Sequence, residues 1–320
     1  MGEIRLGLCC INEELREKGI YTNRKMIIRT IKEKGGLDKL KDKIRQNLKD
    51  ALELIKWNEN NGIKVFRLSS EMFPHYSNPK VEDYSLEEFN EEIKEIGDLA
   101  NRLGHRLTFH PGQYNVVGTP RREVYEQTIR DLMYHADVLE KLGTKDAVMV
   151  VHGGGVYGNK KETIKRWKKQ YNELPEKIKR YLVLENCEKC YSIEDCLEIG
   201  EECNIPVVFD SHHYECYNIL HKDEKLKKPE EYMERIINTW KRRGIRVKMH
   251  ISSQGGGRIG HHSDYIEEIP EYVIKLETGI DLMVEAKRKE KAIKRLKERY
   301  GERVGYIEKE EREEGREEAT

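Results

Sequence analysis

Arg106-Leu107-Thr108-Phe109-His110-Pro111-Gly112-Gln113-Tyr114-Asn115 reads as a short buried strand, carried by Leu107 and Phe109, that a Pro-Gly pair cuts off. A histidine ends the strand, and the turn beyond it pushes an amide and a phenol outward. This sets a metal ligand beside two recognition groups. Taken alone, the stretch reads first as a capped strand with an ordinary loop. Recurrence along the chain decides between the two.

Short apolar, β-branched runs of the same kind occupy residues 4–10, 65–69, 106–110, 147–152, 181–186, 206–210, 246–251 and 281–286. Amphipathic stretches lie between or after them, at 39–59, 86–103, 123–142, 163–179, 193–203, 230–243, 264–277 and 287–300. In the first of these, Leu40, Ile44, Leu48, Leu52 and Ile55 recur at helical spacing and present one apolar stripe to a core. Strands separated by helices pair in parallel, and eight such units can close into a ring with no exposed edge. The fold class expected is α/β, a (β/α)8 TIM barrel in a single domain over residues 1–300, with an open doubly wound sheet as the alternative. Two segments, 11–36 and 211–228, exceed what a barrel needs and read as long functional loops. Residues 301–320, dense in Glu, Arg and Lys, read as a charged, flexible C-terminal tail.

The 59 Lys and Arg balance the 59 Asp and Glu, so no global field steers the protein to nucleic acid. Any DNA contact must come from local groups. The basic clusters Arg121-Arg122, Lys160-Lys161, the run from Lys225 to Lys228, and Lys241-Arg242-Arg243 read as solvated helix faces rather than phosphate sites. Seven cysteines, an odd number, and a start without an apolar leader point to reduced thiols and a cytoplasmic protein. No apolar run reaches membrane-spanning length, and no membrane contact is expected. Cys187-x-x-Cys190 stands without a second such pair and reads as structural.

In a barrel, the side chains that do chemistry sit at the carboxyl ends of the strands. Here those ends carry His110, His152, Glu185-Asn186, Asp210 with His213, Lys248 with His250, and Glu285, while His261-His262 follow the seventh strand. Groups of this kind converging on one mouth demand a cation. Imidazole and carboxylate without thiolate suit Mn²⁺, Zn²⁺ or Fe²⁺, and there are donors enough for two or three ions. Multinuclear sites of this type favour phosphoryl chemistry. Lys248 and His250 share one strand face, and a lysine beside a cation must be neutral, modified or paired. His152-Gly-Gly-Gly lacks a Gly-x-Ser-x-Gly partner, and Gly255-x-Gly257-x-x-Gly260 fits backbone approaching a phosphodiester better than a dinucleotide fold.

Arg5-Leu6-Gly7 with Asn12, Phe66-Arg67-Leu68-Ser69-Ser70, His110-Pro-Gly-Gln113-Tyr114, Val151-His152-Gly-Gly, Leu184-Glu185-Asn186, Asp210-x-x-His213, Lys248-x-His250, His262-Ser-Asp-Tyr265 and Glu285-Ala-Lys287 together resemble the UV damage endonucleases. The resemblance runs from about residue 4 to residue 290 and implies a TIM barrel related to endonuclease IV. It implies up to three divalent ions, Mn²⁺ first, with Zn²⁺ or Mg²⁺ as alternatives. The metal ligands it implies are His110, His152, Glu185, Asp210, His213, His250, His262 and Glu285, with Glu185 bridging. Glu185, Lys248 and His250 are the implied catalytic residues, Lys248 matching a lysine that can be carboxylated. Asn12, Gln113 and Tyr114 are the implied contacts to DNA and lesion, the last two filling the gap left by a flipped dinucleotide. At Leu8 the chain departs from an aromatic that the family often carries, which leaves lesion preference open.

The expected partner is therefore UV-damaged double-stranded DNA, with no obligatory protein partner. The expected reaction is attack of metal-bound hydroxide on the phosphodiester immediately 5′ of cyclobutane dimers, 6-4 photoproducts and, as a further substrate, abasic sites. The alternative is a metal-dependent sugar isomerase or epimerase on the same barrel.

Overall fold

Eight short strands pair in parallel and in sequence order: β1 (Ile4–Cys9), β2 (Val65–Arg67), β3 (Arg106–Phe109), β4 (Val148–His152), β5 (Leu182–Glu185), β6 (Val207–Asp210), β7 (Val247–Ile251) and β8 (Ile280–Val284). The ring closes where β8 returns to β1, in the register Leu6 with Leu282. The protein is therefore a TIM barrel. The computed structural model describes residues 2–81 and 84–304. None of its helices is long and apolar enough to cross a membrane.

Strand alternation divides the side chains between two environments. Leu6, Leu8, Phe66, Leu107 and Phe109 face outward into the apolar layer beneath the helices, where Leu40, Ile44, Leu48 and Ile55 of the helix Gly36–Asn60 meet them. Leu52, expected on that stripe, is only half-buried, and Ala51 and Leu54 take its place. Inside the ring, Cys9, Val65 and Met283 form a separate small cluster. Below it, at the amino ends of the strands, Asp281 receives Arg5 at 2.6 and 2.8 Å, Arg246 at 2.9 Å and Arg106 at 3.0 Å. Burial opposes ionisation of Asp281, but the Arg5 hydrogen bond and the charges of Arg106, Arg5 and Arg246 hold its carboxyl below the ordinary range.

Four expectations change. The helix expected over 163–179 is two, Lys160–Glu173 and Glu176–Tyr181. Pro175 causes the break, since it forces Leu174 into an extended conformation. The helix expected over 264–277 shrinks to Glu271–Ile274 after Pro270, because residues 263 and 264 are held by backbone bonds from Lys287 and Arg288. The loop expected at 211–228 begins as a helix, Ser211–Leu220, which Asp210 caps by accepting the His213 amide at 2.8 Å. The expected tail begins with a 3-10 turn, Gly301–Val304, that buries Val304; the rest of it, 305–320, lies outside the described residues.

Candidate metal centre and DNA-facing loop

Parallel strands all point the same way, so their carboxyl ends and following loops form one rim. Glu185, the last residue of β5, is fully buried at the centre of that rim. Its Oε1 lies 2.7 Å from His250 Nδ1 and 3.7 Å from His213 Nδ1, and its Oε2 lies 3.0 Å from His110 Nε2 and 3.4 Å from His152 Nε2. Each carboxylate oxygen thus faces two imidazoles. Burial works against the charge, yet His250, His152 and the His110 hydrogen bond hold Glu185 well below the usual carboxylate range. It is an anionic hub.

Three overlapping donor groups share this hub or its neighbours: His110-His152-Glu185, His110-His250-Glu285 and Glu185-Asp210-His213, each with its ligand atoms within 4.8 Å of one another. Seven of the eight expected ligands fall in these groups. The eighth, His262, stands at the rim with Nε2 3.9 Å from Glu285 Oε2. Each member is placed by its element: His152 ends β4, His110 and Glu285 follow β3 and β8 directly, and His213 sits in the first turn of the helix that Asp210 caps.

The donor set fits divalent cations. His152 Nδ1, His250 Nε2 and Asp210 Oδ2 are buried with no hydrogen-bond partner. Buried lone pairs of this kind are costly unless something electropositive meets them. The neighbouring protons respond to the same crowding. Burial drives His110 down to about 4 despite the pull of Glu185. For His213, burial is outweighed by Asp210, Glu185 and Glu285, which push it up to about 10.

Lys248 lies two residues before His250 on β7, paired in register with Asp281. It is fully buried with Nζ unbonded. Burial, then the charges of Arg67 and Arg106, bring it down to about 7, so the neutral form expected beside a cation is accessible to it.

Two residues with direct roles in this geometry stood in the sequence only as parts of longer motifs. Arg67, at the end of β2, forms an ion pair with Glu285 and donates to Cys9 Sγ at 3.0 Å. Asn186 exchanges two hydrogen bonds with the Asp210 backbone, at 2.9 and 3.0 Å, and its carbonyl lies 3.0 Å from His213 Nδ1. An arginine and an asparagine at successive strand ends were the available signals; what they would touch was not legible.

A cleft of about 300 Å³ opens above the hub, lined among others by Arg67, His110, Gln113, His152, His213, His262 and Glu285. At its edge the turn after β3 presents Gln113 and Tyr114 to solvent, Tyr114 with 61% of its surface exposed. The turn is rigid from beneath. Asn115 is buried and donates to Asp131 Oδ2 at 2.7 Å and to the Gly112 carbonyl at 3.0 Å, while Tyr114 reaches the same Asp131 oxygen at 3.4 Å.

Asn12, expected to contact DNA, is buried and caps the helix Glu13–Glu17 by accepting the Leu15 amide at 2.8 Å, while its Nδ2 has no partner. Leu8 points outward from the barrel into the helix layer and has no surface to offer.

Comparison with known proteins gives a consistent result. The family model UV-endonuclease UvdE matches residues 4–310. A relative from Acanthamoeba polyphaga mimivirus is 42% identical over 307 residues, covering 93% of this chain and 91% of its own. The UV-damage endonuclease of Schizosaccharomyces pombe is 38% identical over 309 residues, covering 92% of this chain and 50% of its own, so the chain spans half the length of that relative. Among solved structures, SacUVDE superposes with a TM-score of 0.82 at 28% identity, over 93% of this chain and 98% of that one.

Proposed function

This chain belongs to the UV-endonuclease UvdE family, and from that membership we propose that it is a DNA repair endonuclease that hydrolyses the phosphodiester immediately 5′ of ultraviolet photoproducts. Cyclobutane pyrimidine dimers, 6-4 photoproducts and abasic sites are the proposed lesions. One observation carries the reading: a buried carboxylate hub ringed by four imidazoles lies directly beside an exposed, rigidly held Gln-Tyr pair.

His110, His152, Glu185, Asp210, His213, His250, His262 and Glu285 would hold up to three divalent ions, Mn²⁺ first, with Glu185 shared between neighbours. Such ions, when bound, supply Lewis acidity to the scissile phosphate and lower the pKa of the attacking water. The chain's own groups do the rest. Glu185 orients His110, His152 and His250 through its two oxygens, so the rings need no rearrangement during the reaction. Lys248, neutral or carboxylated, removes one positive charge from the floor of the site. Arg67 fixes Glu285 and faces the cleft, where it meets phosphate oxygens.

Gln113 and Tyr114 form the wedge. A dimerised pyrimidine pair is already poorly stacked, so it is cheaper to extrude than an intact step. Tyr114 stacks in the gap and Gln113 bonds the orphaned bases, which offsets part of the unstacking cost. The charge balance of the whole chain agrees with such local recognition, since no broad basic field draws in undamaged duplex.

The test is nicking of ultraviolet-irradiated supercoiled plasmid with Mn²⁺, beside unirradiated plasmid and a chelator control. The expected result is nicking of irradiated plasmid alone and its loss with chelator. Equal nicking of both plasmids removes lesion specificity from the proposal, and no nicking with metals restored removes the nuclease.

A further inference from the structure

We propose that Cys187 and Cys190 form a redox-active dithiol that closes reversibly into a disulfide at the His152 edge of the metal centre. The loop that carries them leaves β5 directly after the hub carboxylate, and Cys187 is its second residue. Cys187 is buried and Cys190 is half-exposed. The Sγ of Cys187 accepts the amides of Cys190 and Tyr191, both at 3.2 Å, and its own amide donates to the Tyr191 carbonyl at 3.0 Å. That tight turn sets the Cys187 sulfur 3.2 Å from the backbone nitrogen of Cys190, on the same short loop. From outside, His221 donates to the Lys189 carbonyl at 2.7 Å and holds the turn in place.

The two sulfurs are unequal. Solvent reaches Cys190 but not Cys187, which makes Cys190 the attacking thiol, and the neighbouring Cys187 draws it down to about 7 against the cost of burial. Cys187 is the resolving partner. The other adjacent pair, Cys9 and Cys10, has no such geometry: successive residues at the end of β1 point apart, Cys9 to the Val284 carbonyl and Cys10 to that of Leu68.

Oxidation by a peroxide balances without further reagents. The Cys190 thiolate attacks one peroxide oxygen, the O–O bond breaks, and the departing hydroxide takes a proton to leave as water, with Cys190 now a sulfenic acid. Cys187 then attacks that sulfur, the S–S bond forms, and the released hydroxide leaves as a second water with the Cys187 proton. Two thiols lose two electrons and the peroxide gains them.

The turn is packed against the metal centre. The Tyr191 ring lies so close to Gly153, the residue after His152, that a Cβ there would stand 2.4 Å from it. Closing the disulfide moves the Cys187 sulfur that accepts the Tyr191 amide, and so shifts Tyr191 against Gly153. The consequence for His152 rests on the metal-centre reading above, whereas the cross-link does not.

The experiment treats the full chain with limiting hydrogen peroxide, maps peptides without reduction, and repeats the map after dithiothreitol. A Cys187–Cys190 cross-link that dithiothreitol reverses, absent from C190S, is the expected result. In C187S, which keeps the attacking thiol, Cys190 should instead stop at sulfenic or sulfinic acid. A wild-type map with no cross-link overturns the proposal, as does thiol-bound zinc present in the wild type at one equivalent more than in C190S. Mn²⁺ binding should weaken at least ~10-fold in the cross-linked protein and stay unchanged in peroxide-treated C190S. Equal Mn²⁺ affinity with and without the cross-link overturns the coupling to His152.

Discussion

Glu185 decides the candidate site, because among the described residues it is the one carboxylate within 4 Å of four imidazoles. Replacing it by Gln keeps the shape and removes the charge. Even an outer-shell partner typically costs roughly 10–100-fold in metal affinity or activity when lost, so E185Q, which alters a proposed ligand, should lose more than ~100-fold in nicking and also lose bound metal by elemental analysis. Full metal content with full activity would remove Glu185 from the centre. Tyr114 gives the complementary case. Its ring lies over Gly112 and its hydroxyl reaches Asp131, yet 61% of its surface is open to a stacking base. Y114A should weaken binding to irradiated duplex by about 1–3 kcal/mol, the range for stacking one base on an aromatic side chain, measured by anisotropy, with metal content unchanged. Loss of metal in that variant would show that the turn serves the centre directly.

At the scale of elements, the Gln-Tyr turn depends on a carboxylate that belongs to neither the candidate metal centre nor the turn itself. Asp131, on the helix Arg122–Leu142, accepts from Asn115 after β3 and from Ser77 after β2, the latter at 2.6 Å. It joins two loops of the rim to one helix. D131A removes the acceptor of Ser77 and one of the two acceptors of the buried Asn115, which should cost about 1.5–3 kcal/mol by denaturant titration. It should also weaken damage binding without changing metal content. An unchanged midpoint would mean that the loops are held by other contacts.

For the whole molecule, barrel closure rests on Asp281 beneath the site, where three guanidinium groups converge on one buried carboxylate. Removing that charge leaves Arg106 buried and uncompensated, and D281N should lose about 3–5 kcal/mol. The pH dependence follows from the direction of the shift. The native carboxyl is held below its ordinary value, so its contribution is complete above the unfolded pKa of about 3.9 and is lost as pH falls through the native value. Acid titration of stability should therefore be steeper for the wild type than for D281N below about pH 4. Parallel curves would assign acid unfolding to other carboxylates.

Period and punctuation were enough to read the barrel from the chain. Each of the eight expected strands overlaps an observed one, because a strand buried on both faces reads as an apolar run and each such run is followed by a helical period. The gathering of the candidate ligands was equally legible, since strand direction alone sends His110, His152, Glu185, Asp210 and Glu285 to one rim. What only the tertiary structure decided is which atoms meet. The sequence does not say that Asn12 caps a helix, that Asp210 is both a helix cap and a candidate ligand, that Arg67 holds Glu285, or that Asp131 anchors the Gln-Tyr turn. Local periodicity reports which face a residue occupies. Hydrogen bonds across a barrel join positions up to hundreds of residues apart, and they depend on angles and distances that no local pattern contains.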